Sequence, residues 1–222
     1  MRFGIVGLGR MGANLALAAI DHGHHVVGYD RDSERLEALT GEHLVAAPTL
    51  PELVERLSPP RTVLLYLPHG PMTEQVSDEL LGLLDRGDVL ADGGNSHWED
   101  SRRRHAAFAH KGLHFLDVGT SGGVHGARHG ACFMAGGERE AYKLIEPLLR
   151  DLATDEHAVV RVGETGSGHV AKLVHNAIEF GMVRPRLAGR QGRRPAPARL
   201  RRPPRPPRER AARAGIARWA RG

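Results

Sequence analysis

Arg2-Phe3-Gly4-Ile5-Val6-Gly7-Leu8-Gly9-Arg10-Met11-Gly12 is the stretch from which the rest of the chain can be read. Its first half is a short apolar run, as a buried strand should be. It ends in Gly7-Leu8-Gly9-Arg10-Met11-Gly12, a G-x-G-x-x-G turn. The turn opens into residues 10–22, where Leu15, Leu17, Ala18 and Ile20 have helical spacing. A strand, a glycine turn and a helix in direct succession predict a dinucleotide-binding unit. Gly7 permits the tight bend, Gly9 lets a pyrophosphate approach the backbone, and Gly12 lets the helix pack close to the strand. Free N–H groups at the helix start then favour an anion, which makes Gly7, Leu8, Gly9, Arg10, Met11 and Gly12 candidate cofactor contacts.

Working outward, residues 25–29 read as a second strand closed by Asp30, at the distance from the turn that the ribose-binding acid requires. A carboxylate there accepts ribose hydroxyls and repels a 2′-phosphate, which favours NAD. Arg31 beside it would attract such a phosphate, so NADP stays open. Asp32-Ser33 predicts a capped helix through Leu39. Further strands are expected over 62–67, 88–92 and 114–118, with helices over 72–84 and 97–110. Strands alternating with helices predict an α/β Rossmann fold with a doubly wound, mainly parallel sheet over residues 1–165. Gly166-Ser167-Gly168 opens a new helix to about residue 182.

Of the 222 residues, 41% are hydrophobic, enough for a sizeable core. The chain opens directly into a strand with no signal-peptide pattern, and no apolar run approaches the roughly 20 residues of a membrane helix. Cys132 is the only cysteine, which excludes an internal disulfide and a cysteine-based zinc site. The histidines His22, His24, His25, His105 and His110 show no metal-ligand spacing, so no metal is expected. A soluble cytoplasmic protein is the expectation. The net charge of +5 is uneven: residues 183–222 hold 14 Arg and one acid, Glu209, so residues 1–182 carry −8. A nucleic-acid reading would therefore rest on the last 40 residues alone. Those residues hold 7 of the 14 prolines and no hydrophobic periodicity, and are expected to be disordered. Arg102-Arg103-Arg104 reads as a solvated helix face.

Three further motifs carry chemistry. Asp92-Gly93-Gly94-Asn95-Ser96 sits at the carboxyl end of a predicted strand, where open α/β sheets bind ligands. Thr120-Ser121-Gly122-Gly123 holds the equivalent position after the next strand. Each could equally be an ordinary turn. On the helix after Gly168, Lys172, His175, Asn176 and Glu179 fall at i, i+3, i+4 and i+7 and share a face. A lysine and a glutamate there suit base and acid roles, provided burial lowers the lysine pKa. A solvated Lys–Glu pair is the alternative.

In order and spacing, these motifs, with Asp117-Val118-Gly119 before the second and Gly166 through Glu179 as the last, resemble the 6-phosphogluconate dehydrogenase family. The likeness is to its shorter bacterial NAD-preferring type, within the β-hydroxyacid dehydrogenase superfamily, and covers residues 1–182. It implies metal-free oxidative decarboxylation of 6-phosphogluconate to ribulose 5-phosphate and carbon dioxide, a step of the pentose phosphate pathway. Lys172 would take the proton of the C3 hydroxyl as hydride leaves C3, and Glu179 would protonate C1 of the enol. Asn95, Ser121, Gly122, Gly123, His175 and Asn176 would position the sugar acid. Leu67, Pro68 and His69, with Asn95, would lie along the cofactor.

Two departures are visible. Phe180 stands where the family usually has a phosphate-binding tyrosine, and Arg/Pro-rich sequence replaces the all-α domain that supplies most of the family's homo-oligomer interface. The resemblance thus makes 166–182 the first helix of a missing domain. Residues 183–222 read as a frameshifted product of a GC-rich gene, and turnover is expected to be weak. Two other readings remain: a β-hydroxyacid dehydrogenase of the hydroxyisobutyrate type, and an inactive nucleotide-binding fragment with a basic tail that sticks to nucleic acid.

Overall fold

The computed structural model describes the backbone of residues 1–191 and the side chains of residues 1–182. Strands and helices alternate along it: β1 Arg2–Val6, α1 Arg10–Asp21, β2 His25–Tyr29, α2 Ser33–Leu39, β3 Leu44–Ala46, α3 Leu50–Glu55, β4 Thr62–Leu65, α4 Pro71–Leu83, β5 Val89–Asp92, α5 Trp98–His110, β6 His114–Ser121, α6 Gly123–His129, β7 Cys132–Gly136, α7 Arg139–Asp151, β8 Val159–Gly163 and α8 Ser167–Gln191. All eight strands form one sheet in the order β3-β2-β1-β4-β5-β6-β7-β8. Every neighbouring pair is parallel except β6 and β7. The sheet is thus doubly wound: from β1 the chain builds outward through β2 and β3, then returns to place β4 on the other side of β1. That reversal leaves a crevice at the carboxyl ends of β1 and β4, where such sheets hold their ligands.

The pleat sends alternate side chains to opposite faces. Phe3, Ile5, Leu64 and Ala91 pack with Leu15, Ala127 and Ile145 of α1, α6 and α7. Val6, Val63, Leu65 and Leu90 pack with Leu53, Leu80 and Phe108 of α3, α4 and α5. Both faces are covered, which explains why the parallel strands read as unbroken apolar runs. At α2 the cap forms as expected, Asp32 accepting from the Arg35 amide.

Three strands escaped the sequence reading. β3 has only three residues, too few to show a period. β7 and β8 are short apolar runs that periodicity alone does not assign. The antiparallel turn to β7 has a simple cause. Residues 122–131 are all that join β6 to β7, fewer than the dozen or more a parallel crossover needs.

Two expectations about the chain's end need correction. α8 does not stop near residue 182 but runs to Gln191, so residues 183–191 are helical rather than disordered. Arg184, Leu187, Ala188 and Arg190 are good helix formers, whose preference outweighed the signal of Pro185. The expected tail over 192–222, its frameshift origin and its affinity for nucleic acid lie outside the described residues. The chain divides into one unit over Met1–Gly181 and another over Met182–Gly222. The start of α8, expected to stand apart from residues 1–165, therefore belongs to the sheet unit. No described helix is long and apolar enough to cross a membrane.

Candidate functional site

The glycine turn is built as its sequence requires. Gly7 has φ +93°, a left-handed conformation that favours glycine, and its amide donates to the Tyr29 carbonyl at 2.9 Å. A methyl group on Gly12 would sit 1.9 Å from the Gly7 carbonyl oxygen, so only glycine lets α1 start this close to the turn. Gly9 differs: its φ is −68°, and a methyl group there would meet no protein atom within 4 Å. Nothing in the protein needs a glycine at Gly9. The space beside it is open. No side chain caps α1, so its first amides are left facing that open space.

Asp30 directly follows β2, beside the turn. Its carboxylate accepts from the Leu8 amide at 2.6 Å and from the Asp32 amide at 2.9 Å, which fixes it at the rim. Leu8 contributes only backbone there, since its side chain is buried in the core. A cleft of about 780 Å³ begins at this rim. Gly7, Gly9, Arg10, Met11, Asp30, Arg31 and Arg35 line its near end. Tyr66, Leu67, Pro68, Gly93 and Gly94 line its middle, and Asn95, Thr120, Gly123, Lys172 and Asn176 its far end. The size suits a cofactor-sized ligand. A smaller cavity of about 400 Å³ adjoins it, sharing Asn95, Lys172 and Asn176 and adding His69.

The far end depends on close contact between α8 and the sheet. Asp117, fully buried in β6, accepts from the Gly166 amide at 2.6 Å and the His169 amide at 2.8 Å, capping α8 from inside the core. A methyl on Gly168 would come within 2.3 Å of the Asp117 carbonyl oxygen, and one on Gly119 within 2.7 Å of Lys172 Cβ. Glycines on both surfaces thus press Lys172 against β6. His169 is buried too, its Nδ1 2.8 Å from Ser101 Oγ, which ties α8 to α5. Burial pushes the Lys172 ammonium below its ordinary pKa, against the raising influence of Glu179 and then Cys132. A lysine so placed loses its proton more readily than a solvated one.

The loop carrying Asn95 is held from below. Buried Asp92 accepts from the Gly94 amide at 3.0 Å, from Ser96 Oγ at 2.6 Å and from Arg104 Nη1 at 2.9 Å. Arg104 also pairs with Glu74 of α4. Arg103 and Arg104 hold the Glu74 carboxyl below its usual range, burial opposing them. This corrects the expectation that Arg102-Arg103-Arg104 is a solvated face. Arg104 is 3% exposed, because successive helix positions point about 100° apart and the last of the three faces inward.

Not every expected residue reaches the cleft. Ser121 is buried in the β6–β7 ladder opposite Cys132, and Gly122 caps α6, leaving Gly123 alone of the three in the wall. His175 and Glu179 line neither cavity. Glu179 shares the Lys172 face but lies roughly 10 Å further along the axis. It is 55% exposed, its carboxylate 3.9 Å from His175 Nδ1. The expected meeting of Lys172 and Glu179 in one crevice is not seen among the described residues, for the cleft ends at Asn176. The sequence reading missed Tyr66, and it named Thr120, Asp117 and Arg104 within longer stretches without giving any of them its own role at the site. An aromatic directly after an aliphatic strand was the available signal for Tyr66; for Thr120 and Asp117 it was their place in the quoted motifs, and Arg104 carried none.

Among the described residues no group of three His, Cys, Asp or Glu side chains could hold a metal. A family model described as the NAD binding domain of 6-phosphogluconate dehydrogenase matches residues 2–163. YqeC of Bacillus subtilis (strain 168), which bears a 6-phosphogluconate dehydrogenase name, is 44% identical over 183 residues, covering 82% of this chain and 61% of that protein. The 6-phosphogluconate dehydrogenase of Plasmodium falciparum, solved in apo form and with NADP+ and 6-phosphogluconate, superposes with a TM-score of 0.78 at 33% identity, over 82% of this chain and 41% of that one. The 3-hydroxyisobutyrate dehydrogenase of Mycobacterium tuberculosis gives a TM-score of 0.72 at 26% identity, over 80% and 59%. The chain therefore spans 61% or less of the length of each of these relatives.

Proposed function

The chain belongs to the family of NAD-binding domains of 6-phosphogluconate dehydrogenase, and on that premise we propose that it binds NAD at the glycine turn and takes part in the oxidative decarboxylation of 6-phosphogluconate. One observation carries the reading: a single cleft runs from Gly7, Gly9 and Asp30 to Asn95, Lys172 and Asn176. The open space at Gly9 and the uncapped start of α1 fit a pyrophosphate. Asp30 would hold the adenosine ribose. Arg31 and Arg35 at the same rim would let NADP bind more weakly.

When bound, the nicotinamide supplies hydride acceptance. Lys172, in its neutral form, takes the proton of the C3 hydroxyl of the sugar acid. The ketone formed there lies β to the carboxylate, so carbon dioxide leaves and an enol remains. Glu179 is assigned the return of a proton to C1. Asn95 and Asn176 orient the sugar, each able to donate and accept. Glu179 stands open to water, which supports slow turnover by this chain alone.

The test is direct. Calorimetry should detect NAD+ binding, with NADP+ weaker. Addition of 6-phosphogluconate should yield NADH and carbon dioxide in equal amounts. If neither nucleotide binds, the reading is lost. NADH formed from 3-hydroxyisobutyrate and not from 6-phosphogluconate would move the chain to the other branch.

A further inference from the structure

We propose that Tyr66 is the platform for the redox ring of the dinucleotide and makes the cleft favour the oxidised, positively charged ring over the reduced, neutral one. This rests on the dinucleotide reading above and adds a specificity-determining residue to it. The strand order fixes the direction of travel. With the pyrophosphate at the end of β1 and the adenosine ribose at the end of β2, the redox ring lies on the β4 side, toward Lys172. Tyr66 directly follows β4 and lines that part of the cleft while remaining partly exposed to it.

Its ring is held firmly. A methyl on Gly93 would lie 2.4 Å from Tyr66 Cζ, so that loop passes in direct contact with the phenol end. The Tyr66 hydroxyl is 3.1 Å from Thr120 Oγ1, and Thr120 in turn donates to the Val118 carbonyl at 3.3 Å. Thr120 thereby serves as the acceptor, and Tyr66 keeps its proton. Burial pushes the phenol up to about 12, so the ring stays neutral through the working range. A neutral aromatic face attracts a cation electrostatically and gives a neutral ring packing alone. The differential arises from the oxidised ring's charge.

The experiment measures dissociation constants for NAD+ and NADH by calorimetry on the full chain and on Tyr66→Phe and Tyr66→Leu. Phe keeps the π face, so the NAD+ to NADH affinity ratio should stay within about twofold of wild type. Leu removes it, and NAD+ should weaken about 3- to 10-fold more than NADH. If circular dichroism shows Tyr66→Leu unfolded, Tyr66→Met fills the space without a π face and carries the same expectation. Equal losses for both nucleotides, or none, would overturn the proposal, as would Phe shifting the ratio as far as Leu. A wild-type chain that binds neither nucleotide would instead defeat the dinucleotide reading on which it rests.

Discussion

At the scale of single residues, Lys172 shows what spacing reveals and what it hides. Its place on a polar stripe with Asn176 was legible because helical period alone sets it. Its lowered pKa was not, since its burial needs Gly168, one turn earlier on α8, to meet β6 at Gly119, which is distant in sequence. Competitive acylation read by mass spectrometry should therefore give Lys172 a titration midpoint below the ordinary lysine value. The Glu179 carboxylate favours the charged lysine, so Glu179→Gln should lower that midpoint further. A midpoint that rises or stays put would remove Glu179 from the electrostatic surroundings of Lys172. Stability follows the same sign. A lysine depressed in the folded state opposes folding below its folded pKa, and the opposition fades as pH rises through that value toward the unfolded one. Lys172→Met should accordingly raise Tm slightly at neutral pH while abolishing proton transfer. A lowered Tm would mean that the ammonium makes favourable contacts outweighing its desolvation.

Elements fail or hold by their contacts, and α8 is the clearest case. Two carbonyl oxygens, of Asp117 and Met134, lie 2.3 and 2.5 Å from where a methyl on Gly168 would go. Neither is the end of a flexible side chain, so relief requires moving the helix or the strands. Gly168→Ala should cost about 2–4 kcal/mol in urea denaturation. Asp117→Asn keeps the shape but loses the charge and one of two acceptors for the α8 amides, and should cost about 1–3 kcal/mol. A fully stable Gly168→Ala would show that α8 sits further from β6 than the structure places it. Sequence legibility at this scale tracks how local the cause is. The α2 cap was readable because Asp32 and Arg35 are three positions apart. The inward turn of Arg104 was not, because its partners Asp92 and Glu74 come from β5 and α4, and nothing near Arg104 announces them.

For the molecule as a whole, the doubly wound sheet brings the first glycine turn and the last helix of the first unit to one edge, and the two depend on glycine for opposite reasons. Gly12 is structural, its missing side chain filled by the Gly7 carbonyl, whereas the space beside Gly9 is filled by nothing. The sequence motif already assigns the two glycines different roles, and the packed sheet shows the cause of each, one vacancy facing protein and the other facing the cleft. The two substitutions should therefore part company. Gly9→Val should change the unfolding free energy of the ligand-free chain by less than about 1 kcal/mol, its φ being ordinary for any residue. Gly12→Ala should destabilise the ligand-free chain by about 2 kcal/mol or more. Ligand linkage sharpens the contrast. NAD+ at a hundred times its Kd should add about 2.7 kcal/mol to the wild-type chain and raise Tm accordingly. In Gly9→Val that gain should vanish with the fold intact, because the valine occupies the place where the phosphates would rest. A Gly9→Val chain that still gained the full increment would mean that the nucleotide lies elsewhere along the cleft. The roles assigned to Asp30, Tyr66 and Lys172 would then lose their common frame.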